Sequence, residues 1–292
     1  ATVAAPPTVA RQVQPRPLSL NTVALLKAAS EVLGLGPGDA MYYAEKLYLN
    51  GLLSYPRTET SKFAPAFDLV GTLSAVAKAA SGDDGGWLPE AAALLADAQA
   101  AGDGDAAAAA LHARARQDGE DVGDHPPITP VVGKVATRKA CGDAAGWALY
   151  KFVCKSFVAS LSADCIFERA EASLTVGGAA DALTLSVARC VERGWTEPLG
   201  EPVYGGDEAA AAERAEAAFA AVLGAPVGTP LPLVAPPAAV LGYTEPPSHL
   251  TEGELLALME RHAIGTDASM ASHVTNVQKR GYVTLDETTR RL

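Results

Sequence analysis

Cysteine is scarce: Cys141, Cys154, Cys165 and Cys190 lie 11 to 25 residues apart, never as CxxC, and the five histidines form no HExxH or similar ligand spacing. That pattern offers neither a zinc site nor a disulfide framework, so ordinary buried thiols are expected. A GxxxxGK[ST] loop is also missing, and "GLGPGD" at 34–39 lacks the preceding strand that a dinucleotide fingerprint needs. Nucleotide-driven chemistry is therefore unsupported. Long apolar runs are absent too. The opening "ATVAAPPTVARQVQPRP" has no continuous apolar core, and the apolar stretches near 217–241 are cut by Pro and Gly. Neither a signal peptide nor a membrane span fits, and a soluble, intracellular protein is expected.

Positive charge is in deficit, with 23 Lys and Arg against 34 Asp and Glu and a formal net charge of −11. Phosphate backbones attract basic surfaces, so this balance argues against a nucleic-acid partner. Its distribution weakens the objection. Residues 81–124 hold ten acidic residues (Asp83, Asp84, Glu90, Asp97, Asp103, Asp105, Asp118, Glu120, Asp121, Asp124) against Arg114 and Arg116. This Ala-, Gly- and Asp-rich segment reads as helical pieces in a solvated insertion or linker that adds little to any core.

What is present suffices for two or three domains, because 49% of the 292 residues are hydrophobic. After Asn21, Leu25, Ala29 and Val32 recur at helical spacing. A second helix follows Asp39 with Met41, Ala44, Leu47 and Tyr48, until Asn50-Gly51 stop it. From Trp147 to Leu161 the set Tyr150, Val153, Cys154, Phe157 and Leu161 is again helical. A β region follows, in which Leu183, Leu185 and Val187 alternate with Thr184, Ser186 and Ala188, and Gly177-Gly178 supplies a turn. Near the end Thr251 and Glu254 make a capping box, Leu250 and Leu255 occupy the staple positions, and Leu255, Leu258, Met259 and His262 share a face. "IGTD" breaks that helix, another starts near Thr266 or Asp267, and "RGYVTL" predicts a short strand. This order resembles a winged helix, and on pattern alone it equally fits a helical hairpin.

Three stretches carry chemistry. In "GLLSYPRTET" (51–60), Pro56 fixes its own φ and pushes Tyr55 toward extended conformations, so Tyr55 and Arg57 share a side. Tyrosine forms covalent intermediates when its phenolate is stabilised, and an arginine fork holds two phosphate oxygens. Taken alone, Y-P-R also fits a surface turn. In "GDHPPITP" (123–130), prolines hold His125 in a rigid loop, where it can donate to a phosphate or shuttle a proton, or simply occupy a turn. On the last helix Ser269, His273, Asn276 and Arg280 form a polar stripe opposite Met270, Val274 and Val277. The stripe reads either as a groove for a nucleic-acid backbone, with phosphate near the helix N-terminus, or as a solvated face.

Together with "LSLNTVALLKAAS", "AMYYAEKLYLNGLLSYPRTETSKF", the "LSADC" region and "PPSHLTEGELLALMERHAIGTDASMASHVTNVQKRGYV", these stretches resemble the type IA DNA topoisomerases, specifically the eukaryotic topoisomerase III branch and its beta-like members. Glu45, Leu47-Tyr48 and Ser54-Tyr55-Pro56-Arg57-Thr58-Glu59 match the active-site signature of that family, and the motifs occur in family order. The resemblance implies a multidomain α+β fold, part of a toroid. Residues 1–15 would end a preceding arch or linker, 16–163 form the helical tyrosine-bearing domain with the insertion 81–124, 164–241 the β-rich arch, and 242–292 the helical base. It further implies ATP-independent DNA topoisomerase activity through a 5′-phosphotyrosine link. Tyr55 would be the nucleophile, Arg57 and His125 would hold the phosphate, and Thr266, Asp267, Ser269, His273, Asn276 and Arg280 would bind the strand.

The implied partners are single-stranded DNA, with RNA as a further candidate, an unspecified accessory protein, and no membrane; the implied location is the nucleus, with cytoplasm or an organelle as alternatives. The family's Mg²⁺-binding TOPRIM domain has no counterpart, since no acidic cluster lies in a βα context. Mg²⁺ and that portion of the enzyme are therefore expected from elsewhere, and the 292 residues alone are expected to be inactive. Ala263 stands where relatives commonly have Gly, which touches the local turn. The competing reading is a non-catalytic single-stranded nucleic-acid-binding module that kept the fold.

Overall fold

The structure, a computed structural model, describes residues 1–292 except 82–85, 103, 134–135, 178–181, 205 and 232–240. Its elements in chain order are strands β1 (Thr2–Val3) and β2 (Thr8–Gln14), helices α1 (Thr22–Leu33), α2 (Pro37–Leu49), α3 (Leu69–Ala80), α4 (Pro89–Ala100), α5 (Asp105–Arg114) and α6 (Ala144–Leu161), strands β3 (Cys165–Thr175) and β4 (Leu183–Glu192), and helices α7 (Thr196–Leu199), α8 (Glu208–Leu223), α9 (Glu252–Arg261) and α10 (Met270–Lys279). They form two compact units, residues 1–15 with 163–246 and residues 16–162 with 247–292. The expected tyrosine-bearing and base segments thus share one contact unit.

The first unit is a small antiparallel sheet. β3 is its spine, paired with β1 and β2 on one side and β4 on the other, in a register that sets Ala170 opposite Val9 and Val187. Side chains directly opposite share a face, and α8 covers this one with Phe219 and Val222 against Ala170 and Ala172. Arg189 binds Glu168 (2.7 Å) and Glu216 (2.9 Å) while stacking on Phe219 at 4.3 Å, so the charge is matched at the edge of the small core. The alternation read in 183–188 does form a strand, although Leu183 and Leu185 remain exposed. Gly178 of the expected Gly177-Gly178 turn lies outside the described residues.

Helices build the second unit. Asn21 caps α1 by accepting from the Ala24 N–H, and Leu25, Leu26 and Ala29 are fully buried. Val32, expected on that face, is exposed because it falls past the last turn that packs. Helix α2 begins two residues before Asp39, at Pro37, whose missing N–H is free of cost in a first turn. Its Ala40, Ala44 and Leu47 pack toward α1 and α6, which contributes Leu149, Val153 and Leu161.

The acidic segment corrects a sequence expectation. Leu88, Ala91, Leu94, Ala98, Ala107 and Leu111 of 81–124 are buried, α4 and α5 pack on α3 and α6, and Trp87 meets Trp147 edge-on at 5.8 Å. Composition misled because alanine dilutes the few leucines, yet each buried leucine contributes roughly 1.5–3 kcal/mol. Among the described acidic residues, Glu90, Asp97 and Asp105 lie on these helices outside the buried set, and Asp118, Glu120, Asp121 and Asp124 are exposed in the segment after α5.

The last helices hold a second buried feature. Glu252, 1% exposed, accepts from Arg290 Nε (2.8 Å), Gln278 Nε2 (2.6 Å) and the Ser30 hydroxyl (3.3 Å), tying α9, α10, α1 and the final loop together. The capping box of Thr251 and Glu254 is present. The buried face of α9, however, is Gly253, Leu256 and Met259, with Leu255 and Leu258 half-buried and His262 exposed. Helix α10 starts at Met270, because 267–269 form a turn, and residues 281–285 of "RGYVTL" form no strand, only the isolated bridge of Asp286 to Arg291 following them.

Candidate active site

Tyr55 sits in a stretch whose shape is fixed at both ends. Helix α2 closes with Gly51 at φ 69°, where the Gly51 N–H reaches the Tyr48 carbonyl (2.8 Å) and the Leu52 N–H the Leu47 carbonyl (2.9 Å). This paired helix-end motif needs a left-handed residue, which glycine supplies without strain. Beyond it, Leu52 and Leu53 are buried and the chain runs extended beside 127–131, with the Val131 N–H on Leu52 O (3.1 Å) and the Ser54 N–H on Thr129 O (2.8 Å).

Three hydroxyls then clamp the loop reciprocally. Ser54 Oγ accepts from the Thr129 N–H and donates to the Pro127 carbonyl, both at 2.9 Å. The Thr22 hydroxyl accepts from the Thr58 N–H and donates to the Pro56 carbonyl, both at 2.8 Å. Thr58 Oγ1 accepts from the Thr60 N–H (3.1 Å) and donates to the His125 carbonyl (3.2 Å). Proline cannot donate, so its carbonyls and the neighbouring amides must be satisfied from side chains. Thr22 and Thr58 are fully buried, where leaving such groups unpaired costs about 1–3 kcal/mol each. The clamp therefore joins "SYPRT" to "HPPITP" and places the His125 ring 4.6 Å from the Tyr55 ring, with Tyr48 edge-on to Tyr55 at 5.2 Å. Tyr55 is half-buried and His125 exposed.

Arg57 is held on three donors. Its Nε donates to Glu45 Oε1 (2.9 Å), Nη2 donates to the same oxygen, and Nη1 donates to the Ala268 carbonyl (2.8 Å). The hydrogen bond to Glu45 raises its pKa above the ordinary arginine value; burial works against this, while the charges of Glu45, Tyr55 and Asp267 add to it. Arg57 is thus a fixed cation with Tyr55 and Asp267 in its field. Two of its five N–H donors are left by this geometry, enough for one more acceptor.

The 262–269 turn supplies the other wall. The Ser269 hydroxyl accepts from the Thr266 N–H (3.0 Å), and Asp267 accepts from the Ala268 N–H (2.8 Å). Gly265, at φ 82°, lies where a Cβ would stand 3.0 Å from both Ser269 Oγ and the His273 ring. His273 and Asn276 are exposed on α10 opposite the buried Met270 and Val274. A groove of about 330 Å³ between α2 and α10 takes in Arg57, Tyr42, Ser272, Asn276 and Lys279.

The structure therefore brings Tyr55, Arg57, His125, Thr266, Asp267 and Ser269 into one neighbourhood and continues it along α10 through His273 and Asn276. Arg280, exposed, is the C-cap that ends α10 one turn beyond Asn276. Sequence reasoning missed the clamping roles of Thr22, Ser54 and Thr58 and the grip of Glu45 on Arg57. The hydroxyls flanking Tyr-Pro-Arg were the available signal. Among the described residues no three His, Cys, Asp or Glu side chains converge to hold a metal ion, so the Mg²⁺ implied by the resemblance does not fit the residues present. Nor is any described helix long and apolar enough to cross a membrane.

The fold resembles that of full-length topoisomerase I from Thermotoga maritima, with a TM-score of 0.55, 17% identity, and coverage of 98% of this chain and 41% of that one. It is the fold of part of a type IA topoisomerase. The chain belongs to the DNA topoisomerase family, whose model matches residues 7–292. It is 37% identical over 273 residues to DNA topoisomerase 3-beta of Arabidopsis thaliana, covering 94% of this chain and 27% of the relative. DNA topoisomerase 3-beta-1 of Homo sapiens is 37% identical over 277 residues, with 95% and 28% covered. The chain thus spans under a third of the length of these relatives.

Proposed function

We propose that this chain is the tyrosine-bearing part of an ATP-independent type IA DNA topoisomerase. Tyr55 Oη attacks a backbone phosphorus and the bond to the 3′ oxygen breaks. The phosphate stays on the tyrosine at the 5′ side, and the phenolic proton is returned to the leaving oxygen as a free 3′-hydroxyl. Another strand passes, and the reverse attack reseals the break. One diester replaces another, so no nucleotide need be hydrolysed. The observation that carries this reading is the half-buried Tyr55 in a hydroxyl-clamped loop, with the Arg57 cation and the His125 ring beside it.

Arg57 spends its remaining donors on the phosphate oxygens, where a fixed fork stabilises the developing charge. His125 hydrogen-bonds the same phosphate. Thr266, Asp267, Ser269, His273, Asn276 and Arg280 guide the strand, single-stranded DNA first and RNA as a second substrate. Mg²⁺ and the TOPRIM portion act from outside these residues, and no step assigned to this chain passes through the metal. By itself the chain binds single strands in a salt-sensitive way and relaxes no supercoils. The nucleus is the proposed location.

The test supplies the TOPRIM portion in trans, labels DNA at either end and traps the complex in denaturant. The label on the 3′ side of the break should stay with protein, through the 5′ phosphate of that fragment. Protein retained on the opposite fragment would overturn the 5′ linkage, and no adduct under conditions of tight binding would favour the non-catalytic module.

A further inference from the structure

The groove between α2 and α10 holds an aromatic ring that the chemistry at Tyr55 does not use. Tyr42 and Tyr43 are consecutive on α2, yet the fold treats them differently. The Tyr43 hydroxyl donates to Asp143 (3.1 Å), the residue that caps α6. Tyr42 is 59% exposed, and its hydroxyl makes no hydrogen bond to another described residue. Its ring is steadied from its own helix, by Tyr43 edge-on at 5.2 Å and by Lys46 Nζ at 5.8 Å. A pre-positioned exposed ring of this kind loses little conformational freedom when a flat partner stacks on it.

The groove around it has a matching chemistry. Arg57 and Lys279 bring positive charge that Glu45, paired with Arg57, offsets only in part, Ser272 and Asn276 bring donors and acceptors, and the volume of about 330 Å³ holds one small planar group with its attached phosphate. The walls meet closely at one end, where a Cβ on Gly38 would stand 2.9 Å from Thr275 Oγ1. Arg57 belongs both to this groove and to the loop of Tyr55, so a strand whose phosphate rests on Arg57 has its neighbouring base within the groove. An aromatic face with flanking cations is the arrangement that binds single strands by stacking and backbone attraction.

The geometry points to Tyr42 as a stacking platform for one nucleobase of the single strand, adjacent to the phosphate held by Arg57, with Lys279 and Asn276 flanking that nucleotide. The inference rests on the strand-binding part of the proposed function. It is independent of which atom Tyr55 attacks.

The experiment measures the affinity of the chain for a short fluorescent single-stranded oligonucleotide at fixed, low salt. Tyr42→Ala should weaken binding by about tenfold or more, the size of one base-aromatic stack, whereas Tyr42→Phe and Tyr42→Trp keep it. An abasic scan locates the base: one position should cost the wild type about as much and cost Tyr42→Ala nothing further. A single 5-iodouracil at that position should photo-crosslink to the peptide holding Tyr42. Because the side chain is exposed, the melting temperature of the alanine variant should match the wild type; a lowered one would shift the decision to the crosslink, where absence from Tyr42 overturns the proposal. Wild-type affinity in Tyr42→Ala, or equal abasic penalties in both proteins, overturns stacking while leaving the Tyr55 chemistry intact. A chain that binds no single strand at all overturns both readings.

Discussion

The two segments that Arg57 joins begin alike and then diverge. Helix α9 ends as α2 does: the Ala263 N–H reaches the Glu260 carbonyl (3.1 Å) and the Ile264 N–H the Met259 carbonyl (2.8 Å). The left-handed position is Gly51 in one and Ala263, at φ 53°, in the other. After Gly51 the chain is buried and clamped by Thr22, Ser54 and Thr58 to distant residues. After Ala263 the turn is largely exposed and bonds mainly to itself, its one side-chain tie to a distant segment among the described residues being the one that Arg57 makes to the Ala268 carbonyl. The tyrosine loop is built to stay still, whereas the 264–269 turn hangs on a cation that the proposed function also offers to a phosphate.

The comparison breaks most completely at the loop itself. Tyr55→Phe should abolish the covalent adduct while single-strand affinity stays within about twofold, since only the attacking oxygen is lost. A denaturing gel with labelled DNA and the TOPRIM portion supplied checks it. Removing the tie between the segments comes next. Arg57→Lys keeps a charge but loses the planar fork that spans Glu45 and Ala268 and that the proposed function extends to the phosphate. Cleavage should slow by about tenfold or more, read as the single-turnover rate at saturating DNA.

A smaller change loosens the clamp. Thr22→Val leaves the Thr58 N–H and Pro56 carbonyl unpaired in a buried place, which should cost about 1–3 kcal/mol in denaturant unfolding. The smallest change makes the two helix ends alike. Ala263→Gly relieves the left-handed alanine and should raise stability by about 0.5–1 kcal/mol, seen as a higher melting temperature.

Much of this was legible in the sequence where local rules and tertiary packing agree. The helix after Asn21, the Asn50-Gly51 stop, the Thr251–Glu254 box and the 147–161 helix each follow from a few neighbouring residues, and each is present. Ala263 was visible as a departure from glycine, and its positive φ gives that departure a physical meaning. Where a distant partner decides, reading the chain failed. The acidic segment read as solvated because its few leucines gain meaning only against α3 and α6. The face of α9 was offset because Gly253, with no side chain to bury, sits against Glu31. The motif residues of the site were legible by type and order, but not the hydroxyl clamp. Thr22 and Thr58 lie far apart in the chain, and their pairing is a property of the folded loop.

The most direct test of the central claim is to identify the atom that carries the DNA. The protein, supplied with the TOPRIM portion, would be trapped on a single-stranded substrate, digested with protease and nuclease, and the nucleotide-bearing peptide sequenced by mass spectrometry. The account predicts one modified peptide, spanning "SYPR", with the nucleotide joined through its 5′ phosphate to Tyr55. A nucleotide on any other residue, Tyr48 or His125 included, or a linkage through a 3′ phosphate, would contradict it.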